Sequence, residues 1–116
     1  MPRFVVLVHN HPVLHWDFML EEGATLRTWR LEQPPDASPQ IAAEPLAAHR
    51  LEYLDYEGPV SGGRGEVSQY DCGDYTAIER TSNRVEVRLA GGKLSGRAIV
   101  EREHQSTGWS FYFLTE

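Results

Sequence analysis

The sequence is divided into short extended runs by turn-forming residues, and this pattern constrains the fold more than any other feature. Residues 4–8 form a β-branched run, and residues 14–21 alternate so that Trp16, Phe18 and Leu20 share one face while His15 and Asp17 lie on the other. Similar runs follow at 25–31, 66–71, 75–80, 84–90, 93–102 and 109–114. About eight short strands with turns between them are typical of all-β domains, and we expect an antiparallel β-barrel with little helix.

The segments between these runs are less regular. Prolines mark 32–39 as a surface loop, because proline cannot donate a hydrogen bond to a central strand. Residues 41–56 are ambiguous: alanines and leucines at 47, 48, 51 and 54 would suit a short helix, whereas Pro45 and nearby tyrosines oppose one. Gly91-Gly92 predicts a tight hairpin between two alternating runs.

Composition limits the classes of protein that this chain can represent. A length of 116 residues with 41% apolar content predicts one domain spanning 1–116. The chain has no apolar run of about 18 residues and no signal-like N-terminus, which predicts a cytoplasmic protein that does not enter a membrane. Its single cysteine, Cys72, excludes an intramolecular disulfide. A net charge of −6 argues against a protein that wraps duplex DNA, but not against one that grips only a strand end.

Three residues near the first predicted hairpin have the chemistry of metal ligands. His9 closes the first run, and His15 and Asp17 lie two positions apart on the next. Two imidazoles and a carboxylate suit Mn²⁺, Zn²⁺ or Fe²⁺, and three protein ligands would leave coordination positions open for water and substrate. Spacing alone leaves open the alternative that these side chains are merely solvated. His11, in the turn, would be a substitute ligand if the hairpin were arranged differently.

Two other features are compatible with phosphate chemistry. His49 precedes Tyr53 and several acidic residues, and its imidazole could bind a phosphate or protonate a leaving oxygen. The alternative is that His49 is an ordinary surface residue. The glycine-rich residues 61–65 are not a P-loop, because no Gly-Lys-Ser/Thr follows them.

Several motifs in order along the chain resemble one known family. The opening run with His9, followed by Leu14-His15-Trp16-Asp17-Phe18, is similar to the start of the 3′-phosphoesterase domain of bacterial DNA ligase D and its stand-alone homologues. Residues 49–58 resemble that family's His-Pro-Leu-Asp-Tyr-x-Asp-Phe-Glu-Gly stretch. Residues 92–97 and the closing run 109–114 also have counterparts there, so the resemblance covers nearly the whole chain.

The resemblance implies an antiparallel β-barrel and metal-dependent removal of a 3′-phosphate or 3′-ribonucleotide during DNA end repair by non-homologous end joining. It implies Mn²⁺, with Zn²⁺ or Co²⁺ as alternatives, held by His9, His15 and Asp17. His49 and Tyr53 match the family's phosphate-site histidine and tyrosine and would be the catalytic residues. The implied partners are a nucleic-acid 3′ end, in DNA or a DNA–RNA primer-template, and a separate DNA ligase or polymerase.

The chain also departs from the family pattern. Met19 lies where the family has an arginine, Gln33 where it has a lysine, and Ile41 near another family arginine. A missing cation weakens transition-state stabilisation at a phosphate. Five arginines could replace it: Arg27, Arg30, Arg50, Arg64 and Arg97. Two rival functions therefore stay open, a non-catalytic metal-containing binding module of a repair complex and a phosphoesterase acting on a small phosphate ester.

Overall fold

The computed structural model describes residues 1–103 and 108–116, and within these ranges the chain is almost entirely extended. The strands are β1 (Arg3–His9), β2 (His15–Glu22), β3 (Thr25–Leu31), β4 (Ile41–Arg50), β5 (Gly58–Pro59), β6 (Glu66–Arg80), β7 (Arg84–Gly91), β8 (Ser95–Arg102) and β9 (Trp109–Thr115). The helical element of these ranges is one 3₁₀ turn, Leu51–Leu54. No helix in the described parts of the chain has the length and apolar character needed to cross a bilayer.

The strands pair antiparallel into one continuous sheet. Eight of them follow the order β1-β2-β3-β4-β9-β8-β7-β6, and pairing between β6 and β1 closes this sheet into a barrel-like ring. The ninth strand, β5, pairs its two residues with the first two residues of β6. This architecture confirms the all-β fold that the sequence predicts.

The ring has apolar residues on both faces of its first strands. Its interior is filled by side chains from all eight ring strands, among them Phe4, Phe18, Trp29, Ile41, Tyr75, Val87, Ala98 and Phe111. A second cluster lies on the outer face, where Val5, Leu7, Met19 and Leu26 are covered by Leu54, Val60 and Val67. Residues 51–67 shield the outer face of β1, so the side chains on both faces of this strand are buried. This accounts for the uninterrupted apolar run at residues 4–8.

The ambiguous segment 41–56 is a strand over 41–50 followed by the 3₁₀ turn. The short-helix alternative is therefore wrong for Ala47 and Ala48, and Leu51 and Leu54 lie in a single 3₁₀ turn. Strand β4 pairs with β3 on one side and with β9 on the other, and this pairing outweighs the modest helical preference of its alanines. Pro45 is tolerated because the pairing with β9 reaches only Ile41 to Ala43. The two runs at 66–71 and 75–80 are one strand, β6, since β1 and β7 pair with overlapping parts of it.

The tight hairpin predicted at Gly91-Gly92 forms, with its turn one residue further along the chain. Ala90 pairs with Ser95, and the backbone N–H of Gly91 donates to the carbonyl oxygen of Leu94 at 2.9 Å, so Gly92 and Lys93 form the two-residue turn. The buried carboxylate of Asp71 accepts hydrogen bonds from the backbone N–H groups of Gly92, Lys93 and Leu94 at 2.8–3.0 Å. A carboxylate that accepts three backbone N–H groups satisfies a turn whose donors would otherwise be unpaired.

Candidate metal centre and phosphate cleft

The register of the β1–β2 hairpin brings the three predicted metal ligands together. His9 lies directly opposite His15, and Asp17 is two positions along the same face of β2. The Nδ1 atom of His9 is 3.7 Å from Oδ2 of Asp17, and Nε2 of His15 is 3.3 Å from Oδ1. One ligand atom from each residue lies within 4.8 Å of the other two. This arrangement fits a single ion bound between them.

Each histidine of the pair is oriented by a backbone carbonyl. Nε2 of His9 donates to the carbonyl oxygen of Arg64 at 2.8 Å, and Nδ1 of His15 donates to the carbonyl oxygen of Val13, also at 2.8 Å. A carbonyl can only accept, so in the neutral imidazoles these bonds leave the lone pairs on Nδ1 of His9 and Nε2 of His15. Those two atoms are the ones that face Asp17, and such hydrogen bonds commonly orient metal-binding histidines.

The buried atoms of this triad lack partners. Nε2 of His15 and Oδ1 of Asp17 have no hydrogen-bond partner among the described residues, although both residues are at most 4% exposed. Their 3.3 Å separation does not have hydrogen-bond geometry. Buried polar atoms are normally paired, so two adjacent buried acceptors without partners indicate a missing electropositive group. The residues therefore fit a divalent cation.

The triad opens onto a cleft of about 270 Å³ that His49 and Tyr53 also line. His49 reaches this face because of a β-bulge between β3 and β4. Leu26 pairs with His49 and Thr28 with Leu46, so β4 carries one extra residue between the two pairs. Without it, Leu46 and His49 would point to opposite faces, since side chains alternate along a strand. Both residues line the cleft.

His49 and Tyr53 are held as a pair. Nδ1 of His49 donates to the carbonyl oxygen of Ala47 at 2.9 Å, which leaves Nε2 for a ligand or a proton. The tyrosine ring packs edge-on against the imidazole, with ring centroids 5.9 Å apart and planes at 72°. Tyr56 packs against Tyr53 in the same manner at 5.8 Å. Edge-on aromatic contacts are favourable, so they stabilise the observed positions of both rings at the cleft.

An ion pair ties the segment that carries Tyr53 to the first strand. The guanidinium of Arg3 donates two hydrogen bonds to the carboxylate of Asp55, at 2.8 and 3.2 Å. This guanidinium lowers the pKa of Asp55 through the hydrogen bond first and the charge second. Because both groups are solvated, the pair contributes little stability.

His11 and Met19 have distinct places at the cleft. His11 lines the cleft but is exposed, and its ring centroid lies 6.5 Å from that of His9. It does not belong to the convergent group of ligand atoms. Met19 is 1% exposed and packs in the outer apolar cluster. The β2 face that carries the triad therefore supplies no cation of its own.

Of the five arginines considered from sequence, Arg30 and Arg64 line the cleft. The other three hold partners elsewhere: Arg27 lies over a tryptophan ring, and Arg50 and Arg97 pair with glutamates. A local signal could have separated these arginines. Gly23 and Ala24 form a two-residue hairpin turn between β2 and β3, and counting back from that turn places Arg30 opposite Asp17.

Comparison with known proteins gives matches over most of the chain. Residues 8–102 match the family model described as the DNA Ligase D 3′-phosphoesterase domain. The chain is 32% identical to the multifunctional non-homologous end joining protein LigD of Pseudomonas aeruginosa, with 98% of this chain and 15% of that protein covered. It is also 32% identical to LigD of Mycobacterium bovis and to that of Mycobacterium tuberculosis, with 85% of this chain and 14% of each relative covered. The chain thus spans about one seventh of the length of these relatives.

Proposed function

Because the chain belongs to the DNA ligase D 3′-phosphoesterase domain family, we propose that it is a metal-dependent phosphoesterase acting on 3′ ends of nucleic acid. The reaction would remove a 3′-phosphate or a 3′-ribonucleotide from DNA or from a DNA–RNA primer-template. The relatives are named for non-homologous end joining, and we place the proposed reaction in that process, beside a separate ligase or polymerase.

One observation carries the proposal. Two buried acceptors without partners, Nε2 of His15 and Oδ1 of Asp17, converge with His9 at the floor of a cleft that His49 and Tyr53 also line. A purely structural role would not explain unpaired polar atoms at a solvent-accessible cleft. An open three-ligand set beside a histidine and a tyrosine has the composition of a hydrolytic centre.

His9, His15 and Asp17 would hold the ion, with Mn²⁺ as the proposed metal and Zn²⁺ or Co²⁺ as substitutes. When bound, the ion supplies Lewis-acid polarisation of a phosphoryl oxygen and favours a nucleophilic water at neutral pH. The carboxylate of Asp17 offsets part of the ion's charge, and the two backbone-anchored imidazoles hold the ligand geometry rigid.

His49 is proposed as the group that exchanges a proton with the substrate. Its Nδ1–H is committed to the Ala47 carbonyl, so the imidazolium form would donate from Nε2, either a hydrogen bond to a phosphate oxygen or a proton to the leaving oxygen. Tyr53 is proposed to donate a hydrogen bond from its phenolic O–H to the same phosphate. Its edge-on ring contact would hold the plane of the His49 imidazole.

The test is release of product from a primer-template with a 3′-phosphate or a 3′-ribonucleotide, with Mn²⁺, Zn²⁺ or Co²⁺ added to the metal-free protein. We expect Asp17→Ala to abolish metal-stimulated release and His49→Ala to lower kcat by about 10²- to 10⁴-fold, the usual contribution of a general acid. Tyr53→Phe should lower kcat by a smaller factor. Arg88→Ala, a charge change on the far side of the ring, serves as the matched control.

Three results would contradict the proposal. Full metal-stimulated activity in Asp17→Ala would remove the metal assignment. Tight binding of strand ends without product under any of the three metals would identify a non-catalytic binding module instead. Faster turnover of a mononucleoside 3′-phosphate than of a primer-template end would move the substrate to small phosphate esters.

A further inference from the structure

A cleft that binds a phosphate needs a cationic side chain, and strand register places Arg30 beside the metal triad. Arg30 lies directly opposite Asp17 on β3, and directly paired residues of antiparallel strands project from the same face. It is also a diagonal neighbour of Met19, which pairs with Thr28. Diagonal neighbours are about 7–8 Å apart, within reach of a long side chain. Arg30 therefore borders the triad along the strand next to it.

The guanidinium of Arg30 is incompletely satisfied. Its Nε atom is buried and has no hydrogen-bond partner within the described ranges. Its Nη1 atom is 3.8 Å from Oε1 of Glu44, too far for a hydrogen bond, and the Glu44 side chain is 64% exposed. A buried donor of a charged group is costly to leave unpaired, so a missing acceptor is the simplest explanation for it.

The second arginine of the cleft, Arg64, is engaged differently. Its Nε and Nη2 atoms donate to the carbonyl and hydroxyl oxygens of Ser61, within its own glycine-rich turn. Its backbone carbonyl is the group that contacts the metal site, through His9. Of the two cleft arginines, Arg30 is the one whose Nε lacks an acceptor.

We infer that Arg30 is the phosphate-binding residue of this cleft and that Glu44 competes with the phosphate for it. The inference rests on the proposed function and deepens it by naming the cation that holds the substrate. Glu44 weakly neutralises the free guanidinium, and a phosphate oxygen between Arg30 and the triad would supply the acceptor that Nε lacks. A guanidinium suits this role because its donors lie in one plane and can bind two phosphate oxygens together.

The experiment measures binding rather than turnover. Inorganic phosphate is titrated calorimetrically into the full chain, with and without Mn²⁺. Arg30→Ala should weaken phosphate binding by about 10- to 100-fold, the worth of a lost charge-assisted hydrogen bond, and Arg30→Lys should recover part of the loss. Glu44→Gln should tighten binding by about two- to fivefold, the worth of an exposed ion pair, and this gain should vanish in an Arg30→Ala background. Arg88→Ala is the charge-matched control.

Several outcomes would overturn the inference. These are unchanged phosphate affinity in Arg30→Ala, a larger loss in Arg64→Ala, a Glu44→Gln gain that persists without Arg30, and no measurable phosphate binding by the wild type. Thermal unfolding of each variant shows whether it is folded, and Arg30→Gln, which keeps part of the aliphatic stem and a neutral polar end, replaces the alanine variant if that one is not.

The two proposals fail separately. Phosphate binding that depends on Arg30 in a protein without turnover would refute the phosphoesterase and leave the inference intact. Normal turnover with an Arg30-independent phosphate affinity would do the reverse.

Discussion

The unpaired acceptors of the metal triad lead to a prediction about stability that does not depend on catalysis. In the metal-free protein, Asp17 is a carboxylate with 3% of its surface exposed, beside a histidine nitrogen that also lacks a partner. Replacing Asp17 by Asn keeps the shape and adds an amide donor that can reach Nε2 of His15. We therefore expect Asp17→Asn to leave the metal-free protein as stable as the wild type or more stable, while abolishing stabilisation by metal.

The size of the metal effect follows from linkage. A ligand present at a hundred times its Kd stabilises the native state by about 2.7 kcal/mol. An unfolding entropy of about 2.1 cal/mol/K per residue gives about 0.24 kcal/mol/K for this chain of 116 residues, so Tm should rise by about 11 °C. Asp17→Asn should show a shift of less than about 2 °C under the same conditions.

Differential scanning calorimetry with and without Mn²⁺ measures both quantities. Asp74→Asn, a change of the same type at an exposed position, is the control and should behave as the wild type. The reasoning would be refuted if Asp17→Asn kept the full metal-dependent shift. It would also be refuted if the variant lowered the metal-free Tm by 10 °C or more, because Asp17 would then be a structural residue.

Three further predictions concern the rest of the chain. Asp71→Ala removes the acceptor of three backbone N–H groups and should lower the free energy of unfolding by about 3 kcal/mol in urea titration; an effect under about 1 kcal/mol would contradict this account. Gly65→Ala should weaken Mn²⁺ binding in calorimetry. A Cβ at this left-handed position (φ +75°) would lie 2.3 Å from Oδ1 of Asn10 and displace the turn whose Arg64 carbonyl anchors His9. Unchanged Mn²⁺ affinity would exclude a link between this turn and the metal site. The hydrogen bond to Asp36 raises the pKa of Tyr70 to about 12, so the contribution of this hydrogen bond to stability is complete below pH 10 and is lost as pH rises towards 12. Tyr70→Phe should remove this loss from the pH dependence of urea unfolding. A variant with the same pH profile as the wild type would argue against this role of the hydrogen bond.

The metal triad was the part of the site most accessible from sequence. Alternation in residues 14–21 is sufficient to place His15 and Asp17 on one face of β2, and the structure confirms that shared face. The close approach of His9 follows from a hairpin, which is a local feature. Their role as metal ligands stays a prediction, as do the roles of His49 and Tyr53.

The position of His49 and the conformation of residues 41–50 depend on pairing between strands, which the alternation of side chains along one strand does not encode. Nothing in residues 41–50 indicates the extra residue that turns His49 towards the cleft, because the bulge exists only relative to the register of β3. Arg30 is different, because extending the register through the Gly23-Ala24 turn, a local feature, is enough to place it opposite Asp17. The local preferences of residues 41–50 are mixed, and the segment is a strand because it pairs with β3 on one side and with β9 on the other.

The location of the metal triad within one hairpin has a consequence for the order in which the site assembles. All three donors belong to β1 and β2, so they meet when a short loop closes, at a small cost in chain entropy. His49 and Tyr53 lie further along the chain and join the metal ligands only after β3 and β4 have paired. These contacts have a larger sequence separation than those of the hairpin, so they form more slowly. We expect the ion-binding half of the site to form early in folding, so that a cation captured there could favour the hairpin while the strand that carries His49 is still unpaired.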